Sequence, residues 1–315
     1  MPGKKRRNTH RKTRYNGADI ALYAAEQNEE SLKNQHPNIA SVSNSVTRVN
    51  GVSTNVVTIY TKDNDTTGMP TELEAKMPDG TIERIATEII TGLGDSKVHF
   101  SQVNNVSNSN TATFLGSICC AVKSTTDPGF LGVLTSAHIY TGGIYQDLNG
   151  VFDENSQGVA VFNGTPAGIW YLGVLGLKQD LAVVKVNAGQ LVDNNYKSFT
   201  NGFYAVSNAD VQTENPNITV ISQNFFTRTA FVVDYNVGLD INYNGIDKFK
   251  KNILLIGSTN NRETSKTVSK SGDSGSCVYH SATGKLIGML LGGNDKFSFV
   301  LPIQNTLDLF NLKTI

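Results

Sequence analysis

A run of small residues towards the C-terminal end of the chain contains the side chain best suited to nucleophilic chemistry. The run is Ser271-Gly272-Asp273-Ser274-Gly275-Ser276. Its glycines let the backbone turn tightly, so the N–H groups of Gly272 and Ser274 are able to point at one developing oxyanion. Gly275 leaves room for a substrate beside the hydroxyl. The same pattern also occurs as an ordinary tight turn, so its chemistry depends on partners elsewhere in the chain.

A serine hydroxyl is a weak nucleophile at neutral pH and needs a base, which in turn needs a group that orients it. The apolar run 132–134 leads through small residues to His138, which indicates a buried strand that delivers an imidazole to a cleft edge. Asp180 opens a second apolar run, residues 181–186. We expect His138 to be the base, Asp180 the orienting group and Ser274 the nucleophile.

Both supporting assignments have alternatives. A histidine at a strand end is more often structural than catalytic, and an aspartate before a strand is usually a turn or cap residue. Asp147 and Asp153 also follow His138 in the chain, but they lie in stretches with glycine and asparagine that are typical of loops. We therefore favour Asp180 and keep the other two as rivals. The remaining histidines are His10 in a basic tail, His36 before a proline, and His99 and His280, which lack an approach of small residues.

The order and flanks of these segments resemble the chymotrypsin/trypsin-like serine peptidase family. The similar segments are Thr135-Ser136-Ala137-His138, Asp180-Leu181-Ala182, Gly272-Asp273-Ser274-Gly275, the cleft-lining stretch Gly284–Gly293 and the C-terminal stretch Leu307–Phe310. The resemblance covers about residues 112–315. It implies a mainly β fold of two antiparallel six-stranded β-barrels with the triad between them and a helix at the C-terminus.

The resemblance also implies which residues contact a substrate. Val268, six residues before the serine, takes the position at the base of the side-chain pocket. On the opposing strand Leu291 stands where the family usually has a serine, and Gly292–Gly293 leave space beside it. An uncharged pocket favours an apolar or small side chain at the cleaved position. Two nearby cations, Lys266 and Lys270, keep an acidic preference open.

The N-terminal third of the chain predicts a separate small α/β module over residues 17–100. Asp19 is the expected cap of a helix that runs to about Lys33, and Val56–Tyr60 is typical of a strand. Residues 82–90 suit another strand or a short helix. The stretch 101–111, rich in serine and asparagine, indicates a linker to the domain at 112–315.

This module resembles the small N-terminal α/β region of bacterial and plant trypsin-like proteins of the narrow-leaf type. The similar segments are His36–Ile39, then Val49-Asn50-Gly51 with the strand that ends at Tyr60, and later Val232–Tyr235 and Phe249–Leu254. The resemblance implies that this chain belongs to that subgroup.

The extreme N-terminus is basic although the chain as a whole is neutral. Residues 1–16 hold seven lysines and arginines without an acid, so the remainder carries a balance of −7. We expect a disordered, solvated tail. Electrostatic binding of RNA, DNA or another polyanion is the functional alternative. Only Tyr15 is an aromatic neighbour, so base stacking is not supported.

The composition indicates a globular protein without cofactors. The 315 residues suffice for one large or two smaller domains, and 29 glycines suit a turn-rich β protein. Neither a signal-peptide core nor a long apolar run is present, so we expect no membrane span. Three cysteines, two of them the adjacent Cys119 and Cys120, favour a reducing compartment and thus a cytoplasmic location. No ligand spacing suggests a metal, and no glycine-rich phosphate loop suggests a nucleotide.

Together these patterns predict an intracellular serine endopeptidase that cleaves protein or peptide substrates through an acyl-enzyme. No segment of the Ile-Val-Gly-Gly type follows a basic residue before the barrels, so Asp273 needs another partner than a new N-terminus. We therefore predict activity without N-terminal cleavage, or activation by a partner or by the N-terminal module. The alternatives are a catalytically silent peptidase fold that serves as a scaffold or binding protein, and a polyanion-binding protein that uses the basic tail.

Overall fold

A computed structural model describes residues 15–49, 52–98, 106–109, 116–152, 158–162, 165–186, 199, 202–221 and 227–315. The helices are α1 (Gly17–Gln35), α2 (Ala137–Tyr140), α3 (Asn208–Val211) and α4 (Gln304–Leu309). The strands are β1 (Ile39–Val49), β2 (Val52–Thr61), β3 (Glu72–Lys76), β4 (Ile82–Ile90), β5 (Lys97–Val98), β6 (Val106–Asn108), β7 (Ala121–Ser124), β8 (Leu131–Thr135), β9 (Leu148–Val151), β10 (Val159–Phe162), β11 (Thr165–Leu175), β12 (Asp180–Val186), β13 (Ile218–Ile221), β14 (Thr227–Tyr243), β15 (Ile246–Gly257), β16 (Cys277–His280), β17 (Leu286–Gly293), β18 (Ser298–Pro302) and β19 (Leu312–Thr314). The expected mainly β class is confirmed.

The N-terminal region consists of α1 and a four-stranded sheet in the order β1-β2-β4-β3, in which β2 and β4 are parallel. Small apolar residues of α1, among them Ala21 and Ala24, are buried against this sheet. The helix is capped by Asn16, whose side chain accepts a hydrogen bond from the Asp19 N–H at 2.9 Å. The expectation that Asp19 is the cap was therefore wrong. Asp19 lies in the first turn, where a negative charge is favourable because the helix dipole is positive there.

The first large sheet has the strand order β19-β7-β8-β12-β11-β10-β6, with β9 also paired to β11. Its β8–β12 contact is the one that matters for chemistry, because β8 leads to His138 and β12 begins with Asp180. Residues 106–108, assigned from the sequence to a linker, form β6 and pair with β10. The remainder of the 101–111 stretch, apart from residue 109, lies outside the described residues, as do residues 1–14 of the basic tail.

The second large sheet closes on itself. Its order is β13-β16-β17-β18-β15-β14, and β13 also pairs with β14, so these strands form a ring without a free edge. β5, from the N-terminal region, adds to this ring and contacts both β14 and β17. The C-terminal helix expected over 307–310 is α4, and β19 after it returns the chain to the first sheet.

One apolar cluster draws residues from all three sheets. It contains Tyr60 of the N-terminal sheet, Val184 of the first large sheet and Leu255 of the second. Burial of this kind contributes roughly 1.5–3 kcal/mol for each large apolar side chain. The N-terminal region therefore packs against the rest of the chain through apolar surface as well as through polar contacts.

The polar contacts centre on Arg262, a side chain only 7% exposed in the loop between β15 and β16. Its guanidinium donates to the Thr58 hydroxyl at 3.0 Å and pairs with Glu88. Close by, the Tyr60 hydroxyl donates to Asp234 Oδ2 at 2.5 Å. The Arg262 bonds tie the N-terminal sheet to the loop that carries Ser274, and the Tyr60–Asp234 bond ties it to β14. Among the described residues, no helix is long and apolar enough to cross a membrane.

Candidate active site

His138 lies in the short helix α2, just after β8 ends at Thr135, rather than on the strand itself. Its side chain is fully buried, and Nδ1 lies 2.8 Å from Asp180 Oδ2. The backbone N–H of His138 donates to the other carboxylate oxygen, Oδ1, at 3.0 Å. Because an ionised carboxylate only accepts hydrogen bonds, Nδ1 carries the proton and Nε2 is the basic nitrogen.

Asp180 opens β12 and is buried. Its Oδ2 also accepts a hydrogen bond from the Tyr243 hydroxyl at 3.0 Å. Burial raises the pKa of Asp180, but the facing His138 ring, its hydrogen bonds and the cation of Lys250 outweigh burial and leave the pKa below its ordinary value. Asp180 is therefore ionised at neutral pH, which suits a group that orients a base and stabilises its imidazolium.

Ser274 is also fully buried, and its hydroxyl donates to the Leu291 carbonyl oxygen at 2.6 Å. His138 Nε2 is buried and has no hydrogen-bond partner among the described residues. The Asp180–His138 pair is thus assembled, whereas the hydroxyl of Ser274 is turned towards β17. A serine side chain changes χ1 between staggered rotamers, so this orientation differs from the other rotamers by a single torsion.

Gly116 and Ser117 bring the histidine and serine segments together. A Cβ placed on Gly116 would lie 2.6 Å from Ile139 Cδ1 and 2.8 Å from the Ser274 carbonyl oxygen. The residue after His138 and the backbone of Ser274 therefore converge on one glycine. Ser117 completes the contact, since its N–H donates to the Ser274 carbonyl at 2.6 Å.

The glycines of the serine loop are needed for its geometry. Gly272 and Gly275 both have φ of +90°, in the region that side chains other than glycine rarely adopt. A Cβ on Gly275 would also lie 2.1 Å from the Ser117 carbonyl oxygen. The Ser117 hydroxyl donates to the Gly272 carbonyl at 2.9 Å, which fixes the other side of the loop.

Asp273 is held by an internal arginine. Arg228 Nη1, on β14, donates to Asp273 Oδ2 at 2.5 Å, and the Lys270 N–H donates to the same oxygen at 2.9 Å. Arg228 also donates to the Val268 carbonyl at 2.9 Å. The aspartate before the serine thus has a partner that is already present in the chain, and this partner also contacts the expected pocket residue Val268.

The expected substrate-contacting residues of β17 lie along a strand from the N-terminal region. Gly292 pairs with Val98 and Gly293 with Lys97 in an antiparallel arrangement. A Cβ on Gly292 would lie 2.1 Å from the Lys97 carbonyl oxygen, so the approach requires glycine. Leu291 is buried, and its carbonyl binds the Ser274 hydroxyl.

The rival residues lie elsewhere or outside the described part of the chain. Asp147 accepts a hydrogen bond from the Tyr145 hydroxyl at 2.9 Å rather than from His138. Asp153, His10 and His99 lie outside the described residues. His280 stacks on Tyr204 with ring centroids 4.0 Å apart. Lys266 and Lys270 are both exposed, as is His36 in part.

Three residues of the site were missed by sequence reasoning: Arg228, Tyr243 and Lys250. All lie on the β14–β15 hairpin, where the surrounding sequence predicts a strand and no functional site. Tyr243 is 63 residues from Asp180, and Arg228 is 45 residues from Asp273. No local pattern marks such residues, because they reach the site only when the strands of the second large sheet close into a ring.

Neither a known protein family nor a curated protein matches the sequence. Solved structures do resemble the fold. Thermobifida fusca Protease A superimposes with a TM-score of 0.45 and 14% identity, over 70% of this chain and 99% of that one. Cellulomonas bogoriensis chymotrypsin gives 0.43 and 16%, over 70% and 98%. A serine protease described as specific for glutamic acid gives 0.45 and 13%, over 67% and 97%. At 13–16% identity this likeness concerns the fold alone.

Proposed function

We propose that this protein is a serine endopeptidase. The observation that carries the proposal is the buried His138–Asp180 pair. The Nδ1 hydrogen bond orients the imidazole and leaves Nε2 as the base, and the backbone N–H of His138 holds the other oxygen of the carboxylate. The Ser274 backbone lies against the same Gly116 that the residue after His138 contacts. An oriented base beside a serine in a glycine-flanked loop is the arrangement that nucleophilic acyl transfer requires.

The reaction follows from these positions. After rotation of its side chain, Ser274 Oγ attacks the peptide carbonyl carbon while His138 Nε2 takes the hydroxyl proton. The imidazolium so formed is stabilised by ionised Asp180, and the N–H groups of Gly272 and Ser274 bind the oxyanion. His138 then gives its proton to the leaving amine. Water, deprotonated by the same nitrogen, releases the acyl group and restores the serine.

The substrate class follows from the surroundings of β17 and the pocket. An extended peptide pairs with Gly292–Gly293 through backbone hydrogen bonds and takes the place of β5, which pairs with these residues in the structure. Val268 offers no charge at the pocket base, which favours an apolar or small side chain at the cleaved position. The exposed cations Lys266 and Lys270 make an acidic side chain the second choice. The adjacent Cys119 and Cys120 are buried and form no disulfide, which supports an intracellular, reducing setting.

The test is cleavage of a library of proteome-derived peptides with the cleaved bonds mapped by mass spectrometry. Ser274→Ala and His138→Ala are each expected to lower the rate by about 10⁴-fold or more, because such residues act as a unit. Asp308→Asn, at an exposed aspartate of α4, serves as the control for Asp180→Asn and is expected to retain activity. Hydrolysis by Ser274→Ala at the wild-type rate contradicts the proposal, and a strict Arg/Lys preference contradicts the uncharged pocket.

A binding protein without hydrolysis is the second candidate. It is favoured by one observation, the fully buried Ser274 hydroxyl that donates to Leu291 instead of His138. In this case peptides bind at β17 with equal affinity in wild type and Ser274→Ala, and no product forms.

The basic tail supports at most weak, salt-sensitive polyanion binding. Deletion of residues 1–14 is expected to abolish it, and unchanged affinity after deletion rejects that role.

A further inference from the structure

The middle of β15, on the β14–β15 hairpin, contacts the turn that precedes Asp180. This turn covers residues 176–179 and is closed by a hydrogen bond from the Gly176 N–H to the Gln179 carbonyl at 3.0 Å. Lys250 Nζ donates to the carbonyl oxygens at both of its ends, Gly176 at 2.6 Å and Gln179 at 3.1 Å. The Lys251 N–H donates to the Leu177 carbonyl at 2.9 Å. The second sheet thus holds the turn of the first.

Tyr243 extends this contact to the carboxylate itself. Its hydroxyl donates to Asp180 Oδ2 at 3.0 Å, and its ring lies edge-on to the His138 ring with centroids 6.0 Å apart. The Lys250 ammonium lies 5.0 Å from the centroid of the Tyr243 ring and 5.4 Å from that of Tyr145. Two aromatic faces and two carbonyls therefore surround a cation directly behind the His138–Asp180 pair.

Lys250 is a fully buried cation at this position. Burial lowers its pKa to about 8, while Asp180 and Asp147 act in the opposite direction and Lys248 adds to the lowering. The other titratable groups that face it are Tyr243 and Tyr145. A lysine with this surrounding changes charge within the pH range in which enzymes are assayed.

We propose that Tyr243 and Lys250 are positioning residues that hold Asp180 for the proposed hydrolysis, and that Lys250 does so as a cation. The inference rests on the proposed function. The ammonium fixes the turn before Asp180 through charge-assisted hydrogen bonds, which are stronger than those of a neutral amine. Loss of its proton weakens the turn and removes the positive charge that faces the carboxylate.

The test is the pH dependence of kcat and KM for wild type and three variants. Wild-type kcat is expected to fall above about pH 8, with KM unchanged. Lys250→Arg, which stays charged, is expected to move this alkaline fall in kcat, the alkaline limb of the pH profile, beyond about pH 10. Lys250→Met is expected to show, at neutral pH, the low kcat of the wild type at alkaline pH. Lys248→Met removes a like charge and is expected to shift the limb to higher pH, which a purely structural role does not explain.

Tyr243→Phe supplies a second variant that keeps the packing of the ring. We expect kcat to fall about tenfold with KM unchanged, in line with the loss of one hydrogen bond to a charged group. The Nδ1 proton of His138, followed by NMR in the resting protein, needs no substrate. Its resonance is expected to broaden above about pH 8 in wild type and to persist in Lys250→Arg. A flat pH profile or an unchanged Nδ1 resonance overturns the inference, whereas complete lack of hydrolysis with the expected NMR response rejects only the proposed function.

A second inference comes from β5, whose position is independent of the Lys250 contacts. β5 pairs antiparallel with Gly292–Gly293 of β17, and the Asn242 N–H holds the preceding Ser96 carbonyl at 2.9 Å. Val98 is buried in the central apolar cluster. The chain just before β5 is fixed to the N-terminal sheet, since Leu93 N–H donates to Thr61 and Gly94 N–H to Lys62. The N-terminal sheet therefore holds β5 in its position beside β17.

An extended peptide that adds to β17 needs the hydrogen-bonding groups that β5 already uses, so the two exclude each other. The side chains of Ser274 and His138 both have no exposed surface in this arrangement. The Ser274 hydroxyl donates to Leu291, one residue before the β5 pairing begins. From these observations we infer that β5 is an intramolecular substrate mimic that keeps the proposed peptidase latent until the strand leaves β17. This inference also rests on the proposed function.

A reversible cross-link tests it within the full chain. Lys97 and Gly293 are register partners, and such Cα atoms lie about 4.5–5.5 Å apart, which a disulfide spans. In Lys97→Cys/Gly293→Cys, we expect the oxidised form to react with a serine-directed phosphonate about tenfold more slowly than the reduced form. Either single cysteine variant controls for the redox treatment. Val98→Pro, which removes a strand N–H, is expected to react about tenfold faster than wild type.

The outcomes separate this inference from the function on which it rests. Equal rates for the oxidised and reduced forms overturn the inference and leave the hydrolase standing. No reaction in either form or in Val98→Pro rejects the hydrolase, and latency with it. A faster Val98→Pro together with a slow oxidised form supports both.

Discussion

Arg228 and Asp273 form a 2.5 Å ion pair directly beneath the serine loop, with the carboxylate fully buried and the guanidinium partly exposed. The aspartate next to Ser274 is therefore held by a side chain of β14 and needs no newly formed N-terminus. Activity without N-terminal cleavage, or activation by a partner or by the N-terminal module, stays a prediction, and Arg228 supplies the partner of Asp273 that it requires.

The first prediction concerns this pair. Arg228→Met leaves the buried Asp273 carboxylate without its charge partner, so we expect the free energy of unfolding to fall by about 2–4 kcal/mol. Urea denaturation measures this change. Arg48→Met removes an exposed arginine that pairs with exposed Glu214, and it is expected to leave the urea midpoint unchanged.

Adding Asp273→Asn to Arg228→Met removes the uncompensated charge. The double variant is expected to recover part of the lost stability but none of the reactivity of Ser274, because the loop has lost its anchor. Wild-type reactivity in Arg228→Met would show that the ion pair does not shape the loop.

A second prediction separates backbone strain from steric collision in the serine loop. Gly80 has φ of +83° with nothing within 4 Å of an added Cβ, so Gly80→Ala tests the backbone conformation alone. It is expected to cost about 1–2 kcal/mol of unfolding free energy. Gly275→Ala adds a collision with the Ser117 carbonyl and is expected to cost about 2 kcal/mol more. Equal costs in urea denaturation contradict the packing of Gly275 on Ser117.

A third prediction concerns the junction with the N-terminal region. Arg262→Met leaves Glu88 and buried Asp234 without their cation, and we expect the unfolding free energy to fall by about 3 kcal/mol. The matched control is Arg84→Met, because Arg84 also pairs with two carboxylates, Glu72 and Glu74, but on an exposed surface. Its urea midpoint is expected to stay unchanged. Identical behaviour of the two variants would mean that the Arg262 contacts contribute nothing.

The fourth prediction is a loss of stability at high pH. Burial, and then the facing carboxylates Asp234 and Asp180, raise the pKa of Tyr60 and of Tyr243 well above the ordinary value of 10.0. Above that value the unfolded chain releases these protons while the folded chain keeps them. The unfolded state then binds fewer protons, so the free energy of unfolding falls as the pH rises.

Between about pH 8 and 10.5 the lowered pKa of Lys250 acts in the opposite direction, so urea titrations at about pH 10.5, 11 and 11.5 measure this slope. Tyr60→Phe is expected to flatten it, although the variant is less stable at neutral pH because Asp234 loses a hydrogen-bond donor. An unchanged slope in Tyr60→Phe would contradict the raised pKa.

The chemistry-bearing residues could be found from the sequence because their signals are local. Gly272 and Gly275 mark a turn that needs positive φ, and the apolar runs before His138 and after Asp180 mark buried strands. The contacts that support them could not be found in this way. In the sequence Arg228 and Lys250 look like ordinary charged residues of a strand, because only the closed ring of the second sheet places them at the site. β5 is too short to give a periodic pattern.

The N-terminal region shows the same limit. Its helix and the strand around Val56–Tyr60 follow from propensity and periodicity, whereas β1 and β3 were not predicted. Asn16 and Asp19 have nearly equal capping preference, so only the structure identifies the cap. The docking through Arg262 depends on residues about 200 positions apart in the chain. Such pairings are set by tertiary packing, which no single stretch of sequence encodes.

The most direct test of the central claim is peptide mapping after reaction of the full chain with a serine-directed phosphonate. We predict a single adduct on Ser274 that is absent from Ser274→Ala. In His138→Ala the adduct is expected to form at about one hundredth of the wild-type rate or more slowly, because the hydroxyl then lacks its base. An adduct on another serine, or labelling of Ser274 that is indifferent to His138, would contradict it.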